Sequence, residues 1–246
     1  NILPGLDVSV AEITILTVAM LFAHNLLVES AISRSAGVSF VFTCLYRLVS
    51  AFLVCWVLNL IYTKLNYLQE PFITSFTLEA PQPGLWLWLK DQIFYLFYIF
   101  VIVAVLVTIL EFLKVIGIEG FLKKILAPPL RFFGISESSM NIIIVGMTIG
   151  LQFGGGILIK EVNSAKIDKQ SVFLSILMIN LIHAIIEDTL LMLAVGGHFS
   201  GVIIARIVFS LLISLVMFKI YQIFNLFFEK YVFNEKLKKL PNTEKE

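Results

Sequence analysis

Five long apolar runs dominate the chain, at roughly 9–33, 38–62, 92–117, 170–194 and 200–228. Each run is rich in Leu, Ile, Val and Phe and contains no proline. A helix needs about 20 such residues to cross about 30 Å of hydrocarbon. Because backbone polar groups in lipid must be bonded internally, the pattern predicts five membrane-spanning helices in an all-α protein.

A further apolar segment at 138–168 is too short on either side of its glycines to span a bilayer. Its first run, 140–151, is interrupted by the five residues Gln152, Phe153, Gly154, Gly155 and Gly156. Consecutive glycines are poor in helix interiors and allow tight turns. The pattern predicts two half-helices joined by a turn at 152–156, forming a re-entrant hairpin. One glycine-kinked spanning helix is the alternative.

The distribution of positive charge favours the hairpin. With a hairpin, only Lys64 and Lys90 lie on one side of the membrane, and nearly all other Lys and Arg residues lie on the opposite side. The positive-inside rule then places the C-terminus in the cytoplasm, and we expect a bacterial inner membrane. A basic amphipathic stretch at 118–134 is expected to lie on the membrane surface.

Four residues recur in the same order at a constant offset of 159 positions. In the first copy they are His24, Glu29, Gly37 and Arg47, and in the second copy they are His183, Asp188, Gly196 and Arg206. The recurrence predicts two copies of one membrane unit. Because the hairpin makes the two copies run in opposite directions, it predicts the inverted-repeat plan of many secondary transporters.

The repeat divides the chain into a first half at 1–62, an interfacial connector at 63–90, a second half at 91–233 and a cytoplasmic tail at 234–246. The first half looks incomplete beside the second, which begins with a long helix and the hairpin. With the offset of 159, the counterpart of residue 91 in the first half would fall at position −68, ahead of the given sequence. We expect about 70 further residues, or a partner subunit that supplies them.

Arginines lie near the middle of two predicted spans. Arg47 and Arg206 are about ten residues, or roughly 14 Å, from their helix starts. A charge at that depth costs several kcal/mol, so each needs a partner, and Glu29 and Asp188 are the candidates. Three interpretations are open: structural ion pairs, cationic groups that bind a carboxylate or phosphate, and proton coupling.

Histidines occur in both copies, and His183 has a second acid nearby. Glu187 follows His183 by four positions, which places both on one face of a continuous helix. A metal half-site, a proton relay and hydrogen-bonded packing are open interpretations. Metal ions need three or four ligands, and this pair provides two, so no metal or cofactor is predicted. His198 is expected at the surface.

Polar groups at half-helix ends are typical of solute sites in transporters. The candidate substrate-binding residues are therefore Gln152, Phe153, Gly154, Gly155, Gly156, Asn180, Asn25, Arg47 and Arg206. The candidate coupling residues are His24, Glu29, His183, Glu187 and Asp188. We expect Asn180 to face the hairpin tip.

The region 95–197 resembles the nucleoside-recognition, or Gate, domain family. The matching features are Leu110-Glu111-Phe112, Gly134-Ile135-Ser136, the hairpin from Gly150 to Gly156, Asp168, and Phe173-Leu174-Ser175-Ile176-Leu177. The family includes concentrative nucleoside transporters, the membrane part of bacterial ferrous-iron permeases and spore-maturation membrane proteins. The resemblance implies a membrane fold with a re-entrant hairpin, closest to small stand-alone Gate proteins. Iron permeases of this type carry cysteines where this chain has glycines and His183, which argues against an iron path.

Composition agrees with these predictions: 59% of residues are hydrophobic and 14% charged, with a net charge of +1. The charge gives no reason to expect nucleic acid as a partner. Cys44 and Cys55 are expected to be buried thiols. No catalytic triad or phosphate-binding loop is present in the sequence, so an enzyme is not expected.

We therefore expect a permease or secondary transporter for a small polar solute, nucleoside-like or anionic, with proton coupling as an option. The alternatives are a non-transporting membrane scaffold or assembly subunit, and a divalent metal permease. The expected partners are the lipid bilayer, the solute, and a second copy or a partner membrane subunit.

Overall fold

The computed structural model describes residues 8–73, 84–117, 137–164 and 167–241, together with residues 120, 121, 124, 127, 128 and 131. The regular elements in these ranges are helices. They are α1 (Val10–Ala23), α2 (Leu26–Ser35), α3 (Phe40–Lys64), α4 (Leu85–Ile116), α5 (Glu137–Ile149), α6 (Leu151–Asn163), α7 (Lys169–Leu181), α8 (Ile185–Ala194), α9 (Arg206–Ile223), α10 (Asn225–Phe227) and α11 (Glu235–Lys238). A π-helical segment, Ser200–Ala205, leads into α9, and a second, Phe228–Val232, follows α10.

Within the described ranges, five helical segments are long and apolar enough to cross a membrane. They are Val10–Ser35, Phe40–Lys64, Leu85–Ile109, Lys169–Ala194 and Ser200–Ile223. The all-α membrane fold with five spans is therefore confirmed. The third span begins at Leu85, so residues 85–90, predicted to belong to the connector, are already helical. Most of the predicted surface segment at 118–134 lies outside the described residues.

The first and fourth spans are broken in the middle. Asn25 separates α1 from α2 with a φ of 50°, and Ala184 precedes α8 with a φ of 44°. These left-handed residues are themselves 159 positions apart. The prediction of two continuous helices was wrong, because a helix lacking proline can still end where side chains from another helix bond its last carbonyls.

The 140–160 region folds into a hairpin of two antiparallel half-helices. α5 and α6 have 13 residues each, and Gly150, with a φ of 105°, joins them. A Cβ atom on Gly154 would overlap the Cα atom of Gly146. Eight residues along one helix would instead separate these positions by about 12 Å. The chain therefore reverses at this point, which excludes the single kinked helix.

The predicted position of the hairpin turn was wrong. Gln152 to Gly156 lie inside α6, and the positive φ of the described hairpin backbone is at Gly150. Gly154 serves the close approach of the two half-helices rather than the turn, as small residues do in membrane helix contacts. The side chains of Gln152 and Phe153 lie outside the described residues.

The two copies run in opposite directions. The N–H of Ser39, at the start of α3, donates to the carbonyl of Val232, beyond the end of α9, at 2.7 Å. At the other end of α3, the Tyr62 hydroxyl shares a hydrogen bond of 2.9 Å with Ser200, at the start of the last span. The second helix of each copy is thus antiparallel to its counterpart, which confirms the predicted inverted repeat.

Each copy also covers a turn of the other. Gly37 and Gly196, with φ values of 118° and 107°, occupy equivalent turns after α2 and α8. A Cβ atom on Gly37 would crowd Leu237, which follows the last span, and one on Gly196 would overlap the ring of Phe72, which follows α3. This exchange of covering segments fixes the two copies against each other and brings their helix breaks together.

Candidate functional site

Arg47 of α3 bonds both sides of the break between α1 and α2. Its Nε donates to the carbonyl of Phe22 at 3.0 Å and its Nη2 to the carbonyl of His24 at 2.9 Å. Its Nη1 pairs with Glu29, in the first turn of α2. The last carbonyls of a half-helix carry partial negative charge and the first amides of the next carry partial positive charge. The arginine and the acid therefore each stabilise one end of the break.

The second copy repeats this arrangement with fewer bonds. Nη2 of Arg206 donates to the carbonyl of His183 at 2.6 Å and to Asp188 at 2.9 Å. Asp188 lies in the first turn of α8. Both predicted ion pairs, Arg47 with Glu29 and Arg206 with Asp188, are therefore confirmed. In the described part of the chain, however, Nε and Nη1 of Arg206 have no hydrogen-bond acceptor although the side chain is fully buried.

The two histidines meet where the two breaks meet. Nε2 of His24 lies 3.1 Å from Nε2 of His183. The Nδ1 atoms lie 3.0 Å from the carbonyl of Met20 and 3.2 Å from the carbonyl of Ile179, each four residues earlier in the same helix. These backbone bonds orient both rings so that their Nε2 atoms point at each other across the interface between the copies.

Each acid contacts the histidine of the other copy. Oε1 of Glu29 lies 3.0 Å from Nε2 of His183 and 4.0 Å from Nε2 of His24. Oδ2 of Asp188 lies 3.9 Å from the Nε2 atom of each histidine. We call these four residues, His24, Glu29, His183 and Asp188, the central cluster.

The central cluster is closed on one side and open on the other. Glu29 and His183 are buried, whereas the side chains of His24 and Asp188 are 34% and 15% exposed. The cluster is thus least enclosed on the side of His24. The arrangement brings two imidazole nitrogens and two carboxylates close together, and each carboxylate is bonded to an arginine.

Glu187 does not join the cluster, contrary to the prediction. Its side chain is exposed, and Asp188 rather than Glu187 lies next to His183. The prediction assumed a continuous helix through 183–187. Because Ala184 is left-handed, residues four positions apart across it no longer share a helix face. Asp188, the residue after Glu187, therefore points toward the cluster.

Asn180 and Asn25, which were predicted to bind the solute, make different contacts near the central cluster. Nδ2 of Asn180 donates to Ser33 of α2 at 2.9 Å and to the carbonyl of Ile176 at 2.8 Å. It links the copies rather than facing the hairpin tip as predicted. Nδ2 of Asn25 lies 3.5 Å from Oε1 of Glu29.

The hairpin reaches the second break with its tip. A Cβ atom on Gly150 would lie 3.7 Å from Cβ of Ala184. Gly154 packs against Gly146 and Gly155 is buried, so the glycines do not form the turn, and solute binding by them stays a prediction. The tip thus adjoins the central cluster through the backbone at Gly150.

His198 is half-buried instead of lying at the surface. Its backbone N–H donates to Thr14 at 3.0 Å, and its Nδ1 lies 2.9 Å from the Ser200 hydroxyl. Cys44 and Cys55, which were predicted to be buried, are half-buried and form no disulfide. The chain has three histidines, so His198 is the one outside the central cluster.

The contact between the two histidines was not predicted, although the repeat identifies them as equivalent residues. Equivalent residues of an inverted repeat meet only if they lie next to the symmetry axis. The constant offset identifies pairs of equivalent residues but does not show which pair lies at the axis.

Comparisons with known proteins support the membrane assignment. The chain is 27% identical over 218 residues to the uncharacterized membrane protein YvoD of Bacillus subtilis (strain 168), a match that covers 86% of this chain and 69% of the relative. No family model matches the chain, and no solved structure matches it. With its five apolar spans, the chain is a multi-pass membrane protein.

Proposed function

We propose that this protein is a permease, a secondary transporter that binds a small polar solute where the two copies meet. The observation that carries the proposal is the meeting of two broken helices at a buried charged cluster. Discontinuous helices of inverted repeats form the solute sites of many secondary transporters. Ionisable groups inside membrane spans are costly and are commonly found on solute or ion pathways.

The two arginines support different roles within this proposal. All three guanidinium nitrogens of Arg47 donate to protein acceptors, so this arginine stabilises the first break. Arg206 has two buried nitrogens without an acceptor in the described part of the chain. A guanidinium with free donors suits a carboxylate or phosphate group of a solute. Arg206 is therefore our candidate for solute recognition, and an anionic solute is the favoured class.

The proposed setting is the bacterial inner membrane, with the C-terminus in the cytoplasm. The distribution of lysines and arginines supports this orientation. Proton coupling remains a prediction from the presence of the histidines.

A non-transporting scaffold is the second candidate, and α4 is the observation that favours it. No described side chain of α4 is buried, so most of the described surface of this apolar helix faces lipid or a partner. A scaffold would use the central cluster only to hold the two copies together.

A ligand screen followed by a flux assay tests the permease. Purified protein is screened for thermal stabilisation by nucleosides, carboxylates and phosphates, and each stabilising solute is then assayed for uptake into proteoliposomes. We expect at least one anionic solute to stabilise the protein and to enter the vesicles. Helical, monodisperse protein that transports none of its stabilising solutes would contradict the permease and favour the scaffold.

Arg206→Lys is the diagnostic variant because it keeps the charge and removes the fork of donors. The matched control is Arg34→Lys, since Arg34 lies in the last turn of α2 with an exposed side chain. We expect uptake to fall in the first variant and to remain unchanged in the second. Equal uptake in both would remove Arg206 from the solute site.

A further inference from the structure

The hydrogen bonds of the two histidines indicate that a positive charge lies between them in the central cluster. Nδ1 of His24 and Nδ1 of His183 each lie against a carbonyl oxygen, which has no hydrogen to donate. Each Nδ1 must therefore carry the ring hydrogen. In a neutral imidazole the other nitrogen then carries a lone pair. Two lone pairs would face each other at 3.1 Å, with a carboxylate oxygen at 3.0 Å from one of them.

Such an arrangement is repulsive unless a cation lies among the three atoms. The neighbouring arginines do not fill this role, because their described bonds go to the carbonyls of the breaks and to the acids. The cation must be either a proton on one imidazole or a metal ion. The positions of the two Nε2 atoms and of Oε1 of Glu29 favour the metal ion.

The three atoms are spaced to bind one metal ion. The Nε2 atoms of His24 and His183 and the Oε1 atom of Glu29 form a triangle with sides of 3.0, 3.1 and 4.0 Å. The point equidistant from all three corners lies inside the triangle, at about 2.0 Å from each atom, which is the bond length of zinc to histidine nitrogen and carboxylate oxygen. The 4.0 Å side corresponds to an angle of about 160° at that point, so Glu29 and His24 would lie on nearly opposite sides of the ion. A proton shared along one short side would engage two of the three atoms, whereas a metal ion engages all three.

We propose that His24, His183 and Glu29 bind a divalent transition-metal ion of the Zn²⁺ class, with Asp188 as the fourth ligand. Oδ2 of Asp188 lies 3.9 Å from both Nε2 atoms. Neighbouring ligand atoms of a tetrahedral site with such bonds are about 3.4 Å apart, so Asp188, Glu29 and His24 would each move slightly on binding, or Asp188 would bind through a water molecule. Borderline nitrogen and oxygen ligands favour Zn²⁺, Co²⁺ and Ni²⁺ over Ca²⁺ and Mg²⁺.

The surroundings of the cluster match those of metal-binding histidines. Such histidines donate their second nitrogen to a carbonyl or carboxylate, and their carboxylate co-ligands are themselves hydrogen-bonded. Here Met20 and Ile179 accept from the two rings, and Arg47 holds the second oxygen of Glu29. The ligands come in equal numbers from the two copies, so the ion would lie on the axis that relates them.

Charge sets the expected strength of binding. Arg47 and Arg206 already neutralise the two acids, so a divalent ion adds net positive charge inside the protein. His24 is the least buried of the ligands, so the ion would enter and leave on its side. We therefore expect reversible binding of an exchangeable ion rather than a permanently held structural ion.

The test measures binding in detergent, where no transport is required, so failure of this proposal is distinct from failure of the permease. The full chain carrying Cys44→Ser and Cys55→Ser, which removes thiol ligands, is titrated with Zn²⁺ by calorimetry and with Co²⁺ by visible absorption. We expect one ion per chain and a visible Co²⁺ absorption band that differs from that of the aqueous ion. Absence of binding by both metals would overturn the proposal and favour the proton.

Matched histidine variants locate the site. In the same background, the double variant His24→Gln/His183→Gln should weaken binding at least 100-fold, whereas His198→Gln should leave it unchanged. Glu29→Gln provides a milder test if the double variant does not fold, as judged by size-exclusion chromatography. Equal affinity in parent and Glu29→Gln, or equal loss in His198→Gln, would overturn the assignment.

Discussion

The two copies share a backbone plan but differ in how completely their arginines are bonded. In the first copy, Arg47 bonds two carbonyls and Glu29 with all three of its nitrogens. In the second copy, Arg206 uses a single nitrogen for its carbonyl and its acid. One break is thus fully bonded by its own side chains, whereas the arginine of the other has two nitrogens without an acceptor in the described part of the chain.

The two breaks also differ in the residue that adopts the left-handed conformation. The first copy places Asn25 in the left-handed conformation, which asparagine tolerates, and the second copy places Ala184 there. Ala184 also lies next to the tip of the hairpin, where a Cβ atom on Gly150 would come within 3.7 Å of it. The second break is thus the less relaxed of the two and the one that the hairpin touches.

The largest expected effect is on stability, through the two arginines. Arg47→Met should lower the free energy of unfolding by about 3–5 kcal/mol, because it leaves Glu29 charged and buried without its partner. Arg206→Met should cost about 1–3 kcal/mol, since it also removes two unbonded donors. Unfolding in mixed detergent and SDS measures both. An equal or larger loss of stability for Arg206→Met would contradict the claim that Arg47 is the more completely bonded arginine.

The acids should differ in metal affinity. Glu29→Gln removes a corner of the 2.0 Å triangle and should weaken Co²⁺ binding about 100-fold, or about 2.7 kcal/mol. Asp188→Asn removes a ligand that lies farther from the ion and should weaken binding about 10-fold, or about 1.4 kcal/mol. The Co²⁺ titration checks both values. A larger loss for Asp188→Asn would reverse the assignment of primary and fourth ligand.

Solute recognition should depend on the second copy. If the protein is a permease, Arg206→Lys should raise the half-saturating solute concentration about 10-fold, which corresponds to about 1.4 kcal/mol. Arg47→Lys should instead reduce the amount of folded protein and leave the half-saturating concentration of the remainder near its original value. Concentration-dependent uptake into proteoliposomes separates the two effects. The opposite pattern would make Arg47 the solute-binding arginine.

The smallest expected effect concerns the left-handed residues. Ala184→Gly should stabilise the protein by about 0.5–1 kcal/mol, because the left-handed conformation costs alanine about 1–2 kcal/mol and glycine little, while glycine is more flexible when unfolded. Asn25→Gly should change stability by less than about 0.5 kcal/mol. Thermal unfolding of both variants checks this. Destabilisation by Ala184→Gly would show that the alanine methyl group matters more than the backbone.

The sequence carries enough information to predict the spans, the repeat and the ion pairs. Hydropathy identifies the spans because lipid leaves the chain few options. The offset of 159 positions predicts the copies, and the cost of buried charge predicts Arg47 with Glu29 and Arg206 with Asp188.

The helix breaks and the geometry of the cluster could not be predicted in the same way. The break at Asn25 depends on a guanidinium from α3, and no local rule places it there. Missing the break at Ala184 led directly to the wrong prediction that Glu187 shares a helix face with His183. The hairpin turn was misplaced because three glycines were taken for a turn when one of them serves a close helix contact.

The central claim is that the two copies run in opposite directions and so bring their breaks together. Cysteine cross-linking tests it most directly, in a background of Cys44→Ser and Cys55→Ser. Val38 and Phe233 form an antiparallel bridge, which places their Cα atoms within reach of a disulfide. We predict that Val38→Cys/Phe233→Cys forms an internal disulfide, detected as a linked peptide by mass spectrometry, and that Val38→Cys/Ser200→Cys does not. A cross-link in the second pair and none in the first would mean that the copies run in the same direction, and would contradict the account.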